Sequence, residues 1–163
     1  MTADSIDAAA SQVLDRCRQR GWRLATAESC TGGLIAGALT AIAGSSDVVE
    51  GGFVTYSNAA KTGLLGVPPA LFAEVGAVSA EVARAMAEGA LSHLPAADLA
   101  VSATGIAGPG GATQGKPVGL VHFGLARRGA TVESHAEIFP GDRSAVRRAA
   151  VLRALALLLT AAT

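Results

Sequence analysis

One stretch, residues 24–33, limits the folds open to this chain more than any other. It reads Leu-Ala-Thr-Ala-Glu-Ser-Cys-Thr-Gly-Gly and begins as an apolar run typical of a buried strand. We predict a strand over residues 22–28. Small residues break the run at Ser29, and apolar residues with helical spacing follow over residues 30–43. A strand that passes into a helix through a short turn is typical of α/β proteins.

The turn itself has two interpretations. The first N–H groups of a helix lack partners within the helix and lie at the positive end of its dipole, so they favour an anion or a developing oxyanion. Ser29 is then a candidate nucleophile. Alternatively, Ser29 caps the helix by accepting a hydrogen bond from the N–H of Thr31 or Gly32, and Gly32 and Gly33 only permit close packing.

The remaining patterns predict a three-layer α/β/α fold. Further helices are expected over residues 5–20, 79–94 and 142–160, with two short helices between residues 57 and 75. Further strands are expected over residues 48–56, with a glycine bulge at Gly51-Gly52, and over residues 98–104. A β-hairpin of residues 118–126 and 131–139 precedes the last helix. Early alternation followed by a hairpin predicts a mixed sheet covered by helices on both faces.

Composition restricts the partners of such a fold. The 163 residues suit one domain, and 13 basic residues balance 13 acidic ones, which gives no general attraction to nucleic acid or to an anionic membrane. Two cysteines and three histidines show no metal-ligand spacing, so we expect no metal site.

Targeting signals are also missing from the pattern. The N-terminus lacks the basic and apolar regions of a signal peptide. The most apolar stretch, residues 149–162, is too short to span a bilayer and contains Arg153. A cytoplasmic location is therefore expected.

Three hydroxyl-bearing residues, Ser29, Tyr56 and Thr104, each stand at the carboxyl end of a predicted strand. In open α/β sheets, sites gather beyond the carboxyl ends of the strands. The three hydroxyls therefore meet at one site if their strands are parallel neighbours.

Lys61 follows Tyr56 by five residues and is a candidate base for Ser29. A serine hydroxyl needs a base, and a lysine can serve when desolvation or another cation lowers its pKa. Tyr56 would then relay the proton or orient the amine. The alternative is a surface lysine on a short helix beside a half-buried strand tyrosine.

The loop over residues 105–111 is a candidate anion site. Repeated glycines around Pro109 allow successive N–H groups to face a phosphate or carboxylate, although neither a Walker A motif nor a dinucleotide fingerprint is present. Thr104 would add a hydroxyl and Lys116 a charge. Arg143 and Arg147 would clamp an anion or form a solvated face. The alternative for the loop is a tight structural connection.

Six segments of the chain, residues 27–33, 52–61, 76–79, 104–111, 116–119 and 141–143, carry motifs that occur in the same order in a known family. Together they resemble the CinA C-terminal domain family, and the resemblance extends from about residue 11 to residue 159. It implies a single amidohydrolase domain over residues 1–163, in a stand-alone form that lacks the molybdopterin-binding-like N-terminal domain of some members.

Characterised members of that family are nicotinamide-nucleotide amidohydrolases, or NMN deamidases. The resemblance implies hydrolysis of the carboxamide of nicotinamide mononucleotide to nicotinate mononucleotide and ammonia, without a cofactor. It implies that Ser29 is the nucleophile and that Tyr56 and Lys61 activate it. The substrate-binding residues that it implies are Cys30, Thr31, Gly32, Gly33, Thr104, Gly105, Gly108, Gly110, Gly111 and Arg143.

One departure from the family pattern bears on specificity. Many members have Ser-Glu-Glu before Lys-Pro-Val-Gly, where this chain has Thr113-Gln114-Gly115. The loss of two acidic charges bears on substrate preference or on a contact across a subunit boundary. Alanine and glycine on the predicted helices are compatible with a homodimer. Two other functions remain open, namely a non-catalytic nucleotide- or anion-binding module and an amidase acting on another small amide.

Overall fold

A computed structural model describes residues 3–163 and places five strands in one sheet. A short 3-10 turn at Ser45–Asp47 precedes the second strand. In chain order the other elements are α1 (Ala3–Arg20), β1 (Leu24–Glu28), α2 (Leu34–Thr40), β2 (Val49–Val54), α3 (Asn58–Leu65), α4 (Ala70–Glu74), α5 (Ala80–His93), β3 (Leu99–Gly105), β4 (Leu120–Arg127), β5 (Glu133–Ile138) and α6 (Arg143–Ala162).

The sheet is mixed, with the strand order β2-β1-β3-β4-β5. Strand β1 pairs in parallel with both β2 and β3, whereas β3, β4 and β5 pair antiparallel. The predicted mixed sheet and late hairpin are therefore confirmed. Because β1, β2 and β3 are parallel neighbours, their carboxyl ends lie together at one edge.

Helices cover both faces of the sheet, as predicted. Leu24, Leu99 and Val101 face the core formed with α1, α2 and α6. Ala25 and Ala100 face the opposite way, into the core formed with α3 and α5. This alternation follows from the two-residue period of a strand and makes three layers. No helix within residues 3–163 is long and apolar enough to cross a membrane.

Polar side chains cap three of the helices. The Ser57 side chain accepts a hydrogen bond from the first turn of α3, and Ser79 does the same for α5. Asp142 caps α6 by accepting the N–H of Ala145 at 2.9 Å. Each side chain satisfies a backbone donor that the helix leaves free.

The start of α2 and the bulge in β2 differ from the prediction. Helix α2 begins at Leu34 rather than at residue 30, because Gly32 and Gly33 take positive φ values of 59° and 103° and hold the chain in a turn. The irregularity in β2 falls at Glu50 rather than at Gly51-Gly52. Leu24 of β1 pairs with Val49 and the next residue of β1 pairs with Gly51, so Glu50 has no partner on β1. Gly52 instead lies against the Thr26 hydroxyl, where a methyl group would overlap it.

Close packing of α3 on α5 positions the lysine that α3 carries. A methyl group built on Gly89 of α5 would overlap the carbonyl of Leu65 at the end of α3. The absence of a side chain at Gly89 therefore sets how deeply α3, and with it Lys61, lies against the sheet.

We predict that Gly89→Ala destabilises the protein and displaces α3. Overpacking of a close contact typically costs about 1–3 kcal/mol. The matched control is Gly63→Ala on the open side of α3, where nothing lies within 4 Å of the added methyl group. That change should stabilise the protein by about 0.5–1 kcal/mol through helix propensity. Denaturant unfolding of both variants checks this, and equal effects would contradict it.

Candidate active site

A cavity of about 310 Å³ opens at the edge where β1, β2 and β3 end. We call it the strand-end cavity. It contains the Ser29, Tyr56 and Thr104 positions that sequence analysis placed at three strand ends. Its lining residues are Ser29, Cys30, Tyr56, Asn58, Lys61, Ala77, Val78, Thr104, Gly105, Ile106, Ala107, Gly108, Gly110, Gly111 and Arg143.

Ser29 and Lys61 form a buried pair in this cavity. The Lys61 Nζ lies 3.0 Å from the Ser29 Oγ, and the two residues are only 2% and 8% exposed. The same Nζ donates to the carbonyl of Tyr56 at 3.3 Å. The Ser29 N–H donates to the carbonyl of Ala103 on β3, which fixes the serine at the end of β1. A serine hydroxyl within hydrogen-bond reach of an amine has the geometry of a nucleophile and its base.

Burial lowers the pKa of Lys61 from its ordinary value, because desolvation disfavours the ammonium form. A negative charge on Cys30 would oppose this shift. However, burial, reinforced by the charge of Glu28, raises the pKa of the Cys30 thiol to about 11. The thiol is therefore neutral near pH 7. Without a negative charge on its sulfur, Cys30 does not stabilise the protonated form of Lys61.

Tyr56 is placed differently from the half-buried strand tyrosine considered above. It is 62% exposed and follows the end of β2. Its hydroxyl accepts a hydrogen bond from Arg143 at 3.1 Å, and Arg143 also donates to the carbonyl of Gly108 at 2.9 Å. Lys61 contacts the backbone of Tyr56. Arg143 therefore joins the tyrosine to the glycine loop across the mouth of the cavity.

Glu28 is the residue that sequence reasoning missed. Its carboxylate is fully buried and accepts hydrogen bonds from the Thr31 hydroxyl at 2.6 Å and from the N–H groups of Ile35 and Ala36 at 2.8 and 3.0 Å. The start of α2 thus holds an anion from the chain itself. The signal was a lone glutamate in an apolar strand, just before a glycine turn.

This arrangement corrects the anion site at the helix start and the helix cap, and Ser29 stays a candidate nucleophile. The donors at the start of α2 are occupied by Glu28 and do not face the cavity as an anion site. Ser29 does not cap the helix either, because the N-cap position is Gly33, which has no side chain. The Ser29 side chain instead contacts Lys61.

Not every expected substrate residue lies on the strand-end cavity. Cys30, Thr104 and the glycines of the 105–111 loop line it, together with Arg143. Thr31, Gly32 and Gly33 do not line it. The buried Thr31 hydroxyl donates to the Glu28 carboxylate, and the two glycines form the turn.

Two basic residues also point elsewhere. Lys116 donates to the carbonyl of Val75, and Arg147 donates to the carbonyl of Cys30. Neither lines the cavity. The Thr113-Gln114-Gly115 segment is exposed in a turn closed by Thr113 and Lys116, and it too lies outside the cavity lining.

The glycine loop has structural constraints of its own. Gly108 has a φ of 86°, and a methyl group there would lie 2.6 Å from Val118. At Gly105 a methyl group would lie 2.7 Å from the carbonyl of Leu120. Gly110 has no such neighbour within 4 Å. The tight-loop interpretation therefore explains two of these glycines, and Gly110 remains free to contact a ligand.

Proton acceptors are few around the cavity. Across residues 3–163, no histidine and no carboxylate belongs to its lining. His122 lies on β4 opposite Thr104, and burial, aided by the charge of Lys116, lowers its pKa. No group of three histidine, cysteine or acidic side chains within those residues is arranged to hold a metal. Among the lining side chains, the Lys61 amine is the one positioned on Ser29.

The buried amine predicts a pH-dependent stability. A lysine in the unfolded chain titrates at about pH 10.4, and the folded pKa of Lys61 is lower. Between these values the unfolded state binds the extra proton, so the stability of the wild type rises with pH. We expect the unfolding free energy of Lys61→Met, relative to wild type, to fall as pH rises towards 10.4.

Ser29→Ala is the control, because it keeps the amine and should keep the pH dependence of the wild type. Urea unfolding of the three proteins over a series of pH values measures the effect. A pH-independent difference between Lys61→Met and wild type would contradict a lowered pKa.

Comparisons with known proteins agree on one family. A sequence model of the CinA C-terminal domain matches residues 6–162. A "Nicotinamide-nucleotide amidohydrolase PncC" of Enterobacter agglomerans is 52% identical over 138 residues, which are 85% of this chain and 84% of that protein. A "CinA-like protein" of Geobacter sulfurreducens is 52% identical over 93% of this chain but only 36% of its own length. The chain thus spans about a third of the length of several curated relatives that it matches.

Solved structures show the same architecture. The competence/damage inducible protein CihA from Agrobacterium tumefaciens superposes with a TM-score of 0.92 at 47% identity, over 96% of this chain and 94% of that one. A CinA superfamily protein from Escherichia coli superposes with a TM-score of 0.93 at 37% identity, over 99% of this chain and 92% of that one.

Proposed function

The chain belongs to the CinA C-terminal domain family, and on that premise we propose that it hydrolyses the carboxamide of nicotinamide mononucleotide. The products are nicotinate mononucleotide and ammonia. The observation that carries this proposal is the buried contact of 3.0 Å between the Lys61 amine and the Ser29 hydroxyl. The relative from Enterobacter agglomerans, whose name gives this nucleotide specificity, supports the choice of substrate.

The reaction proceeds through an acyl-enzyme. The Ser29 oxygen attacks the carboxamide carbon while neutral Lys61 takes the serine proton. The resulting ammonium then gives that proton to the leaving nitrogen, so that ammonia departs as the C–N bond breaks. Water, deprotonated by the same amine, attacks the ester, and the proton passes to the Ser29 oxygen as the ester C–O bond breaks. The released carboxylic acid loses its remaining proton to solvent and leaves as the carboxylate. Each proton taken by Lys61 is returned within the cycle.

The surroundings of Lys61 suit this role. A base must be neutral to accept a proton, and burial shifts the amine towards its neutral form. The carbonyl of Tyr56 accepts a hydrogen bond from Nζ and orients it towards Ser29. In this proposal the Tyr56 hydroxyl, held by Arg143, lies at the mouth of the cavity and contacts the substrate.

Binding of the nucleotide is assigned to the opposite wall. Arg143 carries a positive charge near the loop of residues 105–111, and a guanidinium is well suited to a phosphate. The cavity is at the small end of the range for ligand sites, which suits a compact mononucleotide. A cytoplasmic location is part of the proposal, since both cysteines are free thiols of the kind that reducing compartments maintain.

Ammonia release from nicotinamide mononucleotide tests the proposal directly. We expect the wild type to release ammonia and Ser29→Ala to release none, while the thermal midpoint changes little. Lys61→Arg should be inactive as well, because a guanidinium keeps its proton and cannot act as a base.

Other outcomes of the same assay separate the alternatives. Turnover of a different small amide, with the nucleotide inert, would favour another amidase. Binding of the nucleotide without turnover of any amide would favour a non-catalytic module. Retention of substantial activity in Lys61→Arg would show that charge, rather than proton transfer, is what the lysine supplies.

Recognition of the phosphate gives a further prediction. We expect nicotinamide riboside, which lacks the phosphate, to have a lower kcat/KM than the mononucleotide, because remote binding energy supports the transition state. Arg143→Met should reduce kcat/KM for the mononucleotide by a larger factor than for the riboside. Steady-state kinetics on both substrates checks this, and equal losses on the two substrates would remove Arg143 from phosphate binding.

A further inference from the structure

Behind the turn of residues 29–33 lies a charged side chain that the proposed mechanism does not use. Arg147, on α6, donates from Nε to the carbonyl of Cys30 at 3.1 Å and from Nη2 to the carbonyl of Thr31 at 3.4 Å. Its side chain is half-buried and does not line the strand-end cavity. The guanidinium therefore contacts the two residues that follow Ser29.

The turn is shaped to receive this guanidinium. Gly32 has a φ of 59° and no side chain, and a methyl group built there would lie 3.1 Å from the Arg147 Nη2. On another side, the Glu28 carboxylate accepts the Thr31 hydroxyl and the first donors of α2. The five-residue turn is thus held from two sides. Glu28 accepts hydrogen bonds from its hydroxyl and from the N–H groups that follow it, and Arg147 donates hydrogen bonds to its carbonyl groups.

We propose that Arg147 is a positioning residue for Ser29, a role that rests on the proposed amide hydrolysis. A peptide unit is planar, so a hydrogen bond to a carbonyl also fixes the N–H on the other side of that unit. Arg147 holds two successive units in this way. The Ser29 carbonyl accepts the Gly32 N–H at 3.0 Å, which ties the serine to the same turn.

The catalytic consequence is geometric. The Ser29 Oγ must stay within reach of Lys61 and aim at the substrate carbon, and a misplacement of about 1 Å can reduce the rate by roughly 100-fold. Loosening the turn would therefore lower kcat more than it raises KM. Removal of a residue that binds the substrate would instead raise KM.

A second feature makes the proposal testable by rescue. Arg147 also lines a groove of about 400 Å³ between α1, α2 and α6, on the outside of the turn. Ile6, Leu34 and Val151 form its apolar wall. A small cation can reach the Arg147 position through this groove without entering the strand-end cavity.

The variants are Arg147→Ala and Arg147→Lys, with Arg153→Met as the control. Arg153 lies on the same helix and pairs with Glu137 at 2.7 Å, so the control removes the same charge without touching the turn. Two rates are measured on each protein, ammonia release from nicotinamide mononucleotide and labelling of Ser29 by a fluorophosphonate probe. The labelling assay needs no amide substrate.

For Arg147→Ala we expect kcat to fall about 10- to 100-fold with KM within about twofold, and labelling to slow in parallel. Arg147→Lys should be intermediate, because an ammonium cannot match the planar, two-pronged contact. Millimolar guanidinium should restore part of the rate to Arg147→Ala and have no such effect on the wild type or on Arg153→Met.

Three results would overturn the proposal: an unchanged kcat in Arg147→Ala, a rise in KM alone, or a loss of rate without any rescue by guanidinium and with normal labelling. Failure of the proposed function is distinguishable, because the wild type would then not hydrolyse the nucleotide. In that case slower labelling in Arg147→Ala would still support the positioning role.

Discussion

The structure depends on keeping one amine out of water beside one hydroxyl. The Lys61 Nζ is held 3.0 Å from the Ser29 Oγ, in a pocket where burial works against its charge. Two separate parts of the fold bring them together. Strand β1 presents Ser29 at its end, between β2 and β3, and α3 carries Lys61 inward because Gly89 lets α3 approach α5 closely. A pair that is costly to bury persists where surrounding packing fixes it.

Around this pair, the charged groups divide into two sets. Arg143 lies at the mouth of the strand-end cavity, between the Tyr56 hydroxyl and the glycine loop. Glu28 and Arg147 lie behind the turn and contact it through its hydroxyl, N–H and carbonyl groups. The two arginines are only one helical turn apart on α6, and their different surroundings give them different proposed tasks. The first turns of α6 thus carry one arginine to the cavity, where the substrate is proposed to bind, and another to the far side of the turn that follows Ser29.

Sequence reasoning predicted the layers and the mixed sheet, because hydrophobic period and turn residues depend on local sequence. It made the convergence of three strand ends conditional on parallel neighbours, and the pairing of β1 with β2 and β3 supplies that condition. It placed α2 too early, since helical spacing does not reveal that Gly32 and Gly33 adopt positive φ. It missed Glu28 because a lone glutamate in an apolar strand signals a buried carboxylate but does not reveal that its donors lie seven and eight residues later. It also left open which way Arg143 and Arg147 face, which only packing of α6 decides.

The most direct test is the titration of Lys61 itself. The sequence contains two lysines, Lys61 and Lys116, so a protein labelled with ¹³C at lysine Cε gives two assignable NMR signals, and Lys116→Arg identifies them. We predict that the Lys61 signal titrates below the ordinary lysine value of about 10.4 and that Ser29→Ala keeps that shift. A Lys61 amine that stays protonated up to the ordinary value would contradict a neutral base beside Ser29.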